Sequence, residues 1–419
     1  MIQAINFTAI FAVLLLTSNV KYSVSVENAD IITTHVFRET ATGLLSHGAI
    51  QKEGRASAEE VHDVVFVVEH NNVDKLTRIL HEVSDPSSAK YGKHLTRAEV
   101  SDLTSNPIAR NEVLAHLKAA GASVVTDSPY GNHHITARAP ISVWENMFNT
   151  EFFVYSHVSG KDSTKFMRTE KYSVPQALDA HVTSVFNTVQ TPLSHTPKSP
   201  AAVPKTANKQ RSLAGTLMDG HTTPERINLA YGIASNKGHP KATQAIYEFG
   251  AVSYSPEDIS VFQYNMDIPD FTVNKTIGAI PTTQEVCLAD SEYCAEANAD
   301  LSYIMAISES PTTYYGSEVS MGLWLLSVAS APNPPKVISI SYGLDEIYIT
   351  KAERDLFTQE AITLGTMGVS ILVASGDDGA TTPRARGHPE NCMYEPVFPA
   401  TCPYVTTVGA TQVGAQHCE

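Results

Sequence analysis

The spacing of apolar residues predicts alternating strands and helices in the first half of the chain. A continuous apolar run predicts a buried strand at residues 64–68, and apolar residues every three or four positions predict a helix that starts near Val73. Asn71 and Asn72 precede this helix as candidate caps, and Ser84-Asp85-Pro86 ends it. The remaining predicted elements are a short helix capped by Thr96, helices at 113–120 (ended by Gly121) and 141–148, and strands at 124–125, 134–137 and 151–155. This β-α-α-β-β-α-β succession predicts a compact α+β domain of the ferredoxin-like type.

The second half alternates apolar strands with longer helical patterns, which predicts an α/β domain with a parallel sheet. The predicted strands are at 245–249, 337–341 and 369–373. The predicted helices follow Ser255 or Ser253, span the region around 296–307, and lie at 319–328 and 353–364, the last closed by Gly365. Ligands of open α/β sheets bind beyond the carboxyl ends of the strands. The loops at 341–343 and 375–379 are therefore the predicted site loops.

The segments at the two ends of the first half differ in composition from the predicted domain between them. The apolar run between Ile5 and Leu16 is too short for a membrane span, and small residues follow it, so residues 1–25 are predicted to be a signal peptide of a secreted protein. No later stretch is apolar enough to cross a bilayer. Residues 191–222 are rich in proline, lysine and arginine, which predicts an extended linker that a protease can cut.

Charge is distributed unevenly between the two halves. The net charge of −15 argues against nucleic acid or an anionic membrane as a partner. Residues 1–211 contain 20 Lys and Arg and 20 Asp and Glu, whereas the rest of the chain contains 9 and 24. Twelve of the 16 histidines lie at or before His195, so the first half is expected to become cationic near pH 5. Acid sensing by this half would depend on buried histidines, because its net positive charge would only strengthen attraction to the acidic half.

All five cysteines lie in the second half and show no metal-site spacing. In a secreted chain they predict two disulfides and one unpaired thiol, with Cys418 as the candidate for the odd one. The tripeptide Asn274-Lys275-Thr276 is an acceptor sequence for N-glycosylation, in agreement with secretion.

Candidate chemistry is concentrated on acidic residues. On a helix, Glu292, Glu296 and Asp300 share one face, and no basic residue occurs between Lys275 and Lys336. This stripe is either a solvated acidic face or a carboxyl pair whose pKa values are split for acid–base work. Asp377 is either a turn residue or a carboxyl group placed near developing negative charge. No Gly-x-Ser-x-Gly elbow, His-Glu-x-x-His motif or phosphate loop is present, which argues against the common histidine-based hydrolases.

Several motifs together resemble the sedolisins, the serine-carboxyl peptidases that are related to subtilisin and include tripeptidyl-peptidases. Residues 62–66, 87–96 and 182–189 resemble the activation prosegment of this family. The segments at 223–227, 246–262, 296–300, 339–343, 374–377 and 398–405 resemble its peptidase domain in the same order. The resemblance implies a subtilisin-like parallel-sheet domain at 223–419, preceded by a prosegment at 57–190 of ferredoxin-like type.

The resemblance also implies roles for individual residues. Glu296 corresponds to the general base, Asp300 to its orienting partner, and Asp377 to the proton-bearing oxyanion donor. Ser341, Tyr342 and Gly343 correspond to the strand that lines the substrate. A carboxylate base works best near its own pKa, so a peptide or protein substrate would be cleaved in acid, in a secreted or lysosome- or vacuole-like location.

One part of the family pattern does not occur in the 419 residues. The family places its nucleophile in a Ser-Gly-Thr-Ser motif after a Val-Gly-Gly-Thr strand, whereas this chain has Val408-Gly409-Ala410-Thr411 and no Gly-Thr-Ser. The calcium ligands expected for the family are absent as well, so no metal ligand is assigned. The leading expectation is an incomplete zymogen of an endopeptidase or tripeptidyl-peptidase. The alternatives are a non-catalytic product whose prosegment binds or inhibits related peptidases, and a misfolded product of poor solubility.

Overall fold

The computed structural model describes residues 34–41, 50–127, 133–157, 165–192, 222–233, 237–249, 252–278, 282–289, 291–317, 320–381, 390 and 395–410. The chain divides into residues Met1–Thr34, of which only Thr34 is described, and one compact unit, His35–Glu419. The predicted signal peptide and most of the predicted linker, residues 193–221, lie outside the described residues. Among the residues that are described, no helix has both the length and the apolar character needed to cross a membrane.

The N-terminal half, residues 35–192, contains small antiparallel sheets and four helices among its described residues. A four-stranded antiparallel sheet has the strand order Ser123–Asp127, His134–Pro140, Val61–Val68, Val182–Phe186, which is a split β-α-β arrangement. The predicted ferredoxin-like type is confirmed, but its predicted last strand, 151–155, is wrong: this segment pairs in a separate three-stranded sheet, and Val182–Phe186 takes its place. The elements are β1 (His35–Thr40), β2 (Ile50–Arg55), β3 (Val61–Val68), α1 (Val73–Ser84), α2 (Arg97–Thr104), α3 (Pro107–Ala119), β4 (Ser123–Asp127), β5 (His134–Pro140), α4 (Ile141–Phe148), β6 (Phe152–His157), β7 (Lys165–Thr169), β8 (Lys171–Pro175) and β9 (Val182–Phe186).

Helix starts in this half were predicted with mixed success. Thr96 caps α2 in a full capping box with Glu99, as predicted. Asn72 precedes α1 but makes no capping hydrogen bond, because its amide donates to the carbonyl of Leu103 at 2.8 Å instead. Helix α3 begins at Pro107, six residues before its predicted start, because the Asn106 side chain accepts the N–H of Ala109 at 3.1 Å.

The C-terminal half, residues 222–410, contains the predicted parallel sheet. Six strands have the order β11-β12-β10-β13-β15-β17, and each neighbouring pair is parallel. The predicted fold class, an α/β domain with a parallel sheet preceded by an α+β unit, is confirmed. The elements are α5 (Pro224–Ala230), β10 (Gln244–Phe249), α6 (Pro256–Asn265), β11 (Lys275–Ile277), α7 (Gln284–Ala289), α8 (Glu292–Ser308), β12 (Thr312–Ser317), α9 (Met321–Ser330), β13 (Val337–Ile340), β14 (Leu344–Asp345), α10 (Lys351–Thr366), β15 (Ser370–Ala374), β16 (Val397–Phe398) and β17 (Thr406–Val408).

Two faces of the N-terminal half pack against helices α9 and α10. Val65, Val67 and Phe186, from strands β3 and β9, form one buried cluster with Leu326 of α9 and Leu356 of α10. Leu76 and Leu80 of α1 belong to the main core of the C-terminal half. The Glu39 side chain accepts the backbone N–H of Ala352 at 3.1 Å, and the N–H of Leu95 bonds to the carbonyl of Thr366 at 3.0 Å. The two halves therefore share a core and a set of polar contacts.

Gly365 does not close α10, contrary to the prediction. The helix continues to Thr366, and Gly368 provides the left-handed turn after it with φ +80°. A Cβ atom on Gly365 would lie 2.8 Å from Cδ1 of Leu80, which belongs to α1. The glycine is needed for the close approach of these two helices.

The cysteine prediction is confirmed in one part and wrong in another. Cys287 and Cys294 form a disulfide between α7 and α8. Cys402 is a buried free thiol, so the prediction that Cys418 is the single unpaired cysteine beside two disulfides is wrong. Cys402 packs in the main core, where its sulfur lies 3.7 Å from Oγ1 of Thr358. Cys392 and Cys418 lie outside the described residues.

Glu353, on helix α10 between the two halves, is expected to make the stability of the chain depend on pH. It is 6% exposed, accepts the N–H of Gly322 at 2.8 Å, and has its pKa raised to about 7, mainly by burial. A raised folded-state pKa gives stability that is complete below the unfolded value and is lost as the pH rises through 7. We expect Glu353→Gln, which keeps an acceptor oxygen, to raise the free energy of unfolding at pH 8 by up to about 3 kcal/mol.

Denaturant unfolding at pH 8 and pH 4.5 measures this effect. Asp355→Asn, on the exposed side of the same helix, is the matched control and should change stability little, because exposed pairs such as Asp355 with Lys351 contribute little. An equal change for Glu353→Gln at both pH values would contradict the assignment.

Candidate active site

Helix α8 presents Glu296 and Asp300 one turn apart, as the sequence predicts. Its buried face, which includes Ala297, Leu301 and Met305, packs against strands β10 and β12. Glu296 and Asp300 lie beside this face and are partly buried, whereas Glu292 is exposed in the first turn. The helix thus separates two carboxyl groups of the acidic stripe from the third.

Polar contacts and a disulfide fix the position of α8. The Asn298 side chain, between the two carboxyl residues, accepts the N–H of Ser255 at 2.8 Å and donates to Asp258 Oδ2 at 3.0 Å. The Cys287–Cys294 disulfide ties the first turn of α8 to α7, two residues before Glu296. The hydrogen bonds of Asn298 and the disulfide at Cys294 together fix the rotation of α8 about its axis, and with it the direction of the Glu296 and Asp300 side chains.

Ser341 connects the helix to the central strands of the sheet. It follows β13, and its hydroxyl donates a hydrogen bond to Oδ2 of Asp300. Burial raises the pKa of Asp300, and the bond from Ser341 acts in the opposite direction. Ser341 was predicted to line the substrate, and this contact adds an orienting role toward Asp300.

Glu248 is a third carboxyl group of the site, and it was not predicted from the sequence. It is 0% exposed on β10, and the pairing of Tyr247 with Ile340 places it level with Ser341 on the neighbouring strand. Its pKa is raised well above its usual value, first by burial and then by the charge of Asp300. The only signal in the sequence was a glutamate inside an apolar strand of the kind that is buried on both faces.

Tyr342 shares the buried environment of the three carboxyl groups. Its pKa is raised first by burial and then by the charges of Glu248, Glu296 and Asp300. Carboxyl groups that share so little solvent do not all ionise together, because like charges in a low dielectric repel strongly. The raised pKa values of Glu248 and Asp300 favour the protonated form of these two carboxyl groups.

Glycines shape the two loops at the carboxyl edge of the sheet. A Cβ atom on Gly343 would lie 2.3 Å from Cγ1 of Val397, so a side chain there would displace β16. Gly376 has φ +100°, a conformation that favours glycine, and it turns the chain after β15. Asp377 follows on an exposed turn at the same edge, and the pairing of β13 with β15 sets its loop beside Ser341–Gly343.

The carboxyl groups of the site do not form a donor set for a metal ion. Among the described residues, no group of three or more His, Cys, Asp or Glu side chains has an arrangement that could hold a metal ion. The described part of the chain therefore offers no calcium site, and no chemical step is assigned to calcium.

Comparison with known proteins identifies the class of this chain. The family model described as "Pro-kumamolisin, activation domain" matches residues 49–191. Tripeptidyl-peptidase 1 of Homo sapiens is 28% identical over 380 residues, which cover 85% of this chain and 63% of the relative. Tripeptidyl-peptidase 1 of Mus musculus is 28% identical over 375 residues with the same coverage. Together these matches support a sedolisin-family protein with an activation domain in its N-terminal half. It spans 63% of the length of these curated relatives.

Two solved structures are also similar to the chain at a low level. Pseudomonas sedolisin, a serine-carboxyl proteinase complexed with two molecules of pseudo-iodotyrostatin, has a TM-score of 0.36 and 21% identity, and the match covers 45% of this chain and 53% of that protein. The epidermin leader peptide processing serine protease of Staphylococcus aureus has a TM-score of 0.40 and 12% identity, with coverage of 84% and 70%. At these TM-scores, neither likeness supports anything further.

Proposed function

We propose that this chain is the zymogen portion of an acid-acting serine-carboxyl peptidase, either an endopeptidase or a tripeptidyl-peptidase. The observation that carries the proposal is the hydrogen bond from Ser341 to Asp300, one helical turn from Glu296 and beside the buried Glu248, with the pKa values of Asp300 and Glu248 both raised by burial. An acidic face serving only solubility would leave its carboxyl groups in water with ordinary pKa values. The match of the N-terminal half to an activation domain supports a zymogen.

In this proposal Glu296 is the general base that removes a proton from a serine hydroxyl, which then attacks the peptide carbonyl. Asp300 orients Glu296 and shares its proton, and Ser341 holds Asp300 in place. Asp377 is the proposed hydrogen-bond donor to the oxyanion of the tetrahedral intermediate. Residues 341–343 line the substrate. Glu296 then returns the proton to the leaving amine, so that acid and base roles alternate on one residue.

Several finer features belong to the same proposal. The nucleophilic serine is proposed to lie outside these 419 residues, because the sequence contains no Gly-Thr-Ser motif. Calcium, if the complete enzyme binds it, would have its ligands outside the described residues as well. The enzyme is proposed to be secreted or delivered to an acidic, lysosome- or vacuole-like compartment. This agrees with the predicted signal peptide and with the Cys287–Cys294 disulfide, because disulfides persist in oxidising compartments.

The test begins with the transcript beyond the codon for Glu419. We expect an open reading frame that encodes a Ser-Gly-Thr-Ser segment, and we expect its product to hydrolyse peptides in acid after the N-terminal half is cleaved off. The 419-residue chain alone should show no hydrolysis. A stop codon without such a frame, or a complete product that cleaves no peptide between about pH 3 and 7, the range in which carboxyl groups and histidines titrate, would overturn the proposal.

A further inference from the structure

We propose that Asn274 carries an N-linked glycan whose first sugar lies in the groove beside it and covers the outer edge of the parallel sheet. This proposal is independent of peptidase activity. Asn274 is exposed directly before β11, and Lys275 and Thr276 complete the acceptor sequence. The only other such sequence in the chain is Asn6-Phe7-Thr8, which lies in the predicted signal peptide.

Hydrogen bonds fix the orientation of the Asn274 amide. Its backbone N–H donates to the carbonyl of Thr312 at 2.9 Å, and its side-chain oxygen accepts the N–H of Thr312 at 2.8 Å. These bonds extend the pairing of β11 with β12 by one residue. They occupy the amide oxygen and leave Nδ2, the atom that receives a glycan, outside the contact with Thr312.

A groove of about 320 Å³ opens beside Asn274. Its walls combine apolar rings with polar groups, which matches a sugar that has an apolar face and a rim of hydroxyl groups. The main lining residues are His239, Pro240, Phe271, Glu309 and Pro311. One wall of the groove is closely packed backbone. A Cβ atom on Gly238 would lie 1.6 Å from the carbonyl oxygen of Glu309, so there is no room for a side chain at this position. Its volume is at the lower end of the range for small-molecule sites, which suits one sugar residue.

The position of the glycan gives it a structural consequence. Strand β11 is the last strand on its side of the described sheet, so its outer backbone groups can pair with another chain. A sugar attached one residue before β11 blocks such pairing. The Cys287–Cys294 disulfide supports passage through an oxidising compartment, where glycans are also added.

The experiment is expression of the full chain in a eukaryotic secretory host, followed by peptide mapping before and after enzymatic deglycosylation. We expect a glycan on the peptide that contains Asn274, and we expect it to persist in Thr276→Ser, which keeps the acceptor sequence. It should be lost in Asn274→Asp, which keeps the oxygen for Thr312, and in Thr276→Val. The chain is expressed behind a heterologous signal peptide, and an unmodified Asn274 in the secreted protein would overturn the proposal.

The contact between the first sugar and the groove is tested by the rate at which a glycosidase releases the glycan. A glycosidase that cuts at the asparagine should release the glycan from native protein at least several-fold more slowly than from denatured protein, and His239→Ala should speed release from native protein. His116→Ala, on α3 and away from the groove, is the matched control. Equal release from native and denatured protein would overturn the groove contact. More aggregation of Asn274→Asp than of Thr276→Ser at equal concentration is the expected sign of the uncovered edge.

Discussion

Replacement of Glu296 with glutamine should lower the kcat of the complete peptidase by about 10²–10⁴-fold, the range for loss of a general base. Glutamine has nearly the same shape but cannot accept the proton of a serine hydroxyl. The structure keeps α8 in place through Asn298 and through the disulfide at Cys294, neither of which involves the Glu296 carboxyl group. Thermal unfolding of the variant should therefore stay close to that of the parent.

Glu292→Gln is the matched control, because Glu292 lies on the same helix one turn earlier and is exposed. It should retain the activity and the pH profile of the parent. Activity is measured with the product of the complete transcript, using a peptide substrate in acid. If the Glu296 and Glu292 variants lose activity equally, the acidic stripe is a solvated face and Glu296 is not the base.

The regular elements could be predicted because their signals are local. Helix α4 has the predicted bounds, and the i, i+4 spacing of Glu296 and Asp300 is enough to place both on one face of α8. Thr96 and Ser255 cap helices as expected, since a capping side chain bonds to a backbone N–H only a few residues away. Errors arose where a distant contact was stronger, as with Asn72 bonding to Leu103 and Gly365 making room for Leu80.

Only part of the site could be predicted from the sequence, because Glu248 reaches the site through contacts between residues that are distant in the chain. Strand order in the sheet is not chain order, so nothing local places Glu248 of β10 beside Ser341 after β13. Burial then changes the chemistry, because a carboxyl group with no water around it holds its proton at a higher pH. The place of Glu248 in the site depends on the strand order and on its burial, and neither can be predicted from the spacing of residues along the chain.

The stability that neutral His70 gives to the N-terminal half should be lost as the pH falls from about 6.5 to about 4, and His70→Phe should remove this loss. The rings of His70 and His133 lie 3.8 Å apart and are 9% and 7% exposed. Burial is the main cause that lowers the pKa of His70 to about 4 and that of His133 to about 2. The charges that face His133 are His70, Arg97, His134 and Arg110, all of which oppose its protonation, and Glu360 is the acid that acts on Arg97.

The sign follows from the direction of each shift. A histidine whose folded pKa is depressed contributes stability that is present above its unfolded value of about 6.5 and is lost as the pH falls toward the folded value. For His70 the full loss is about 3 kcal/mol. Glu353 and Glu360, with pKa values raised to about 7 and about 8, add stability as the pH falls, but this gain is complete near pH 4.5. Between about pH 6.5 and pH 4.5 this gain offsets part of the histidine loss in the parent, and comparison with His70→Phe isolates the share that belongs to His70.

The measurement is denaturant unfolding of the 419-residue chain at pH 7 and pH 4, together with digestion by an added acid protease. His70→Phe should match the parent at pH 7, exceed its stability at pH 4, and be cut more slowly between the two halves. His116→Gln, on the surface of α3, is the control and should change neither value. Because Arg97 next to this pair donates a hydrogen bond to the Ala329 carbonyl, loosening of the histidine pair is expected to weaken the contact between the halves. A parent and a His70→Phe variant that lose stability equally between pH 7 and pH 4 would show that other groups carry the acid response.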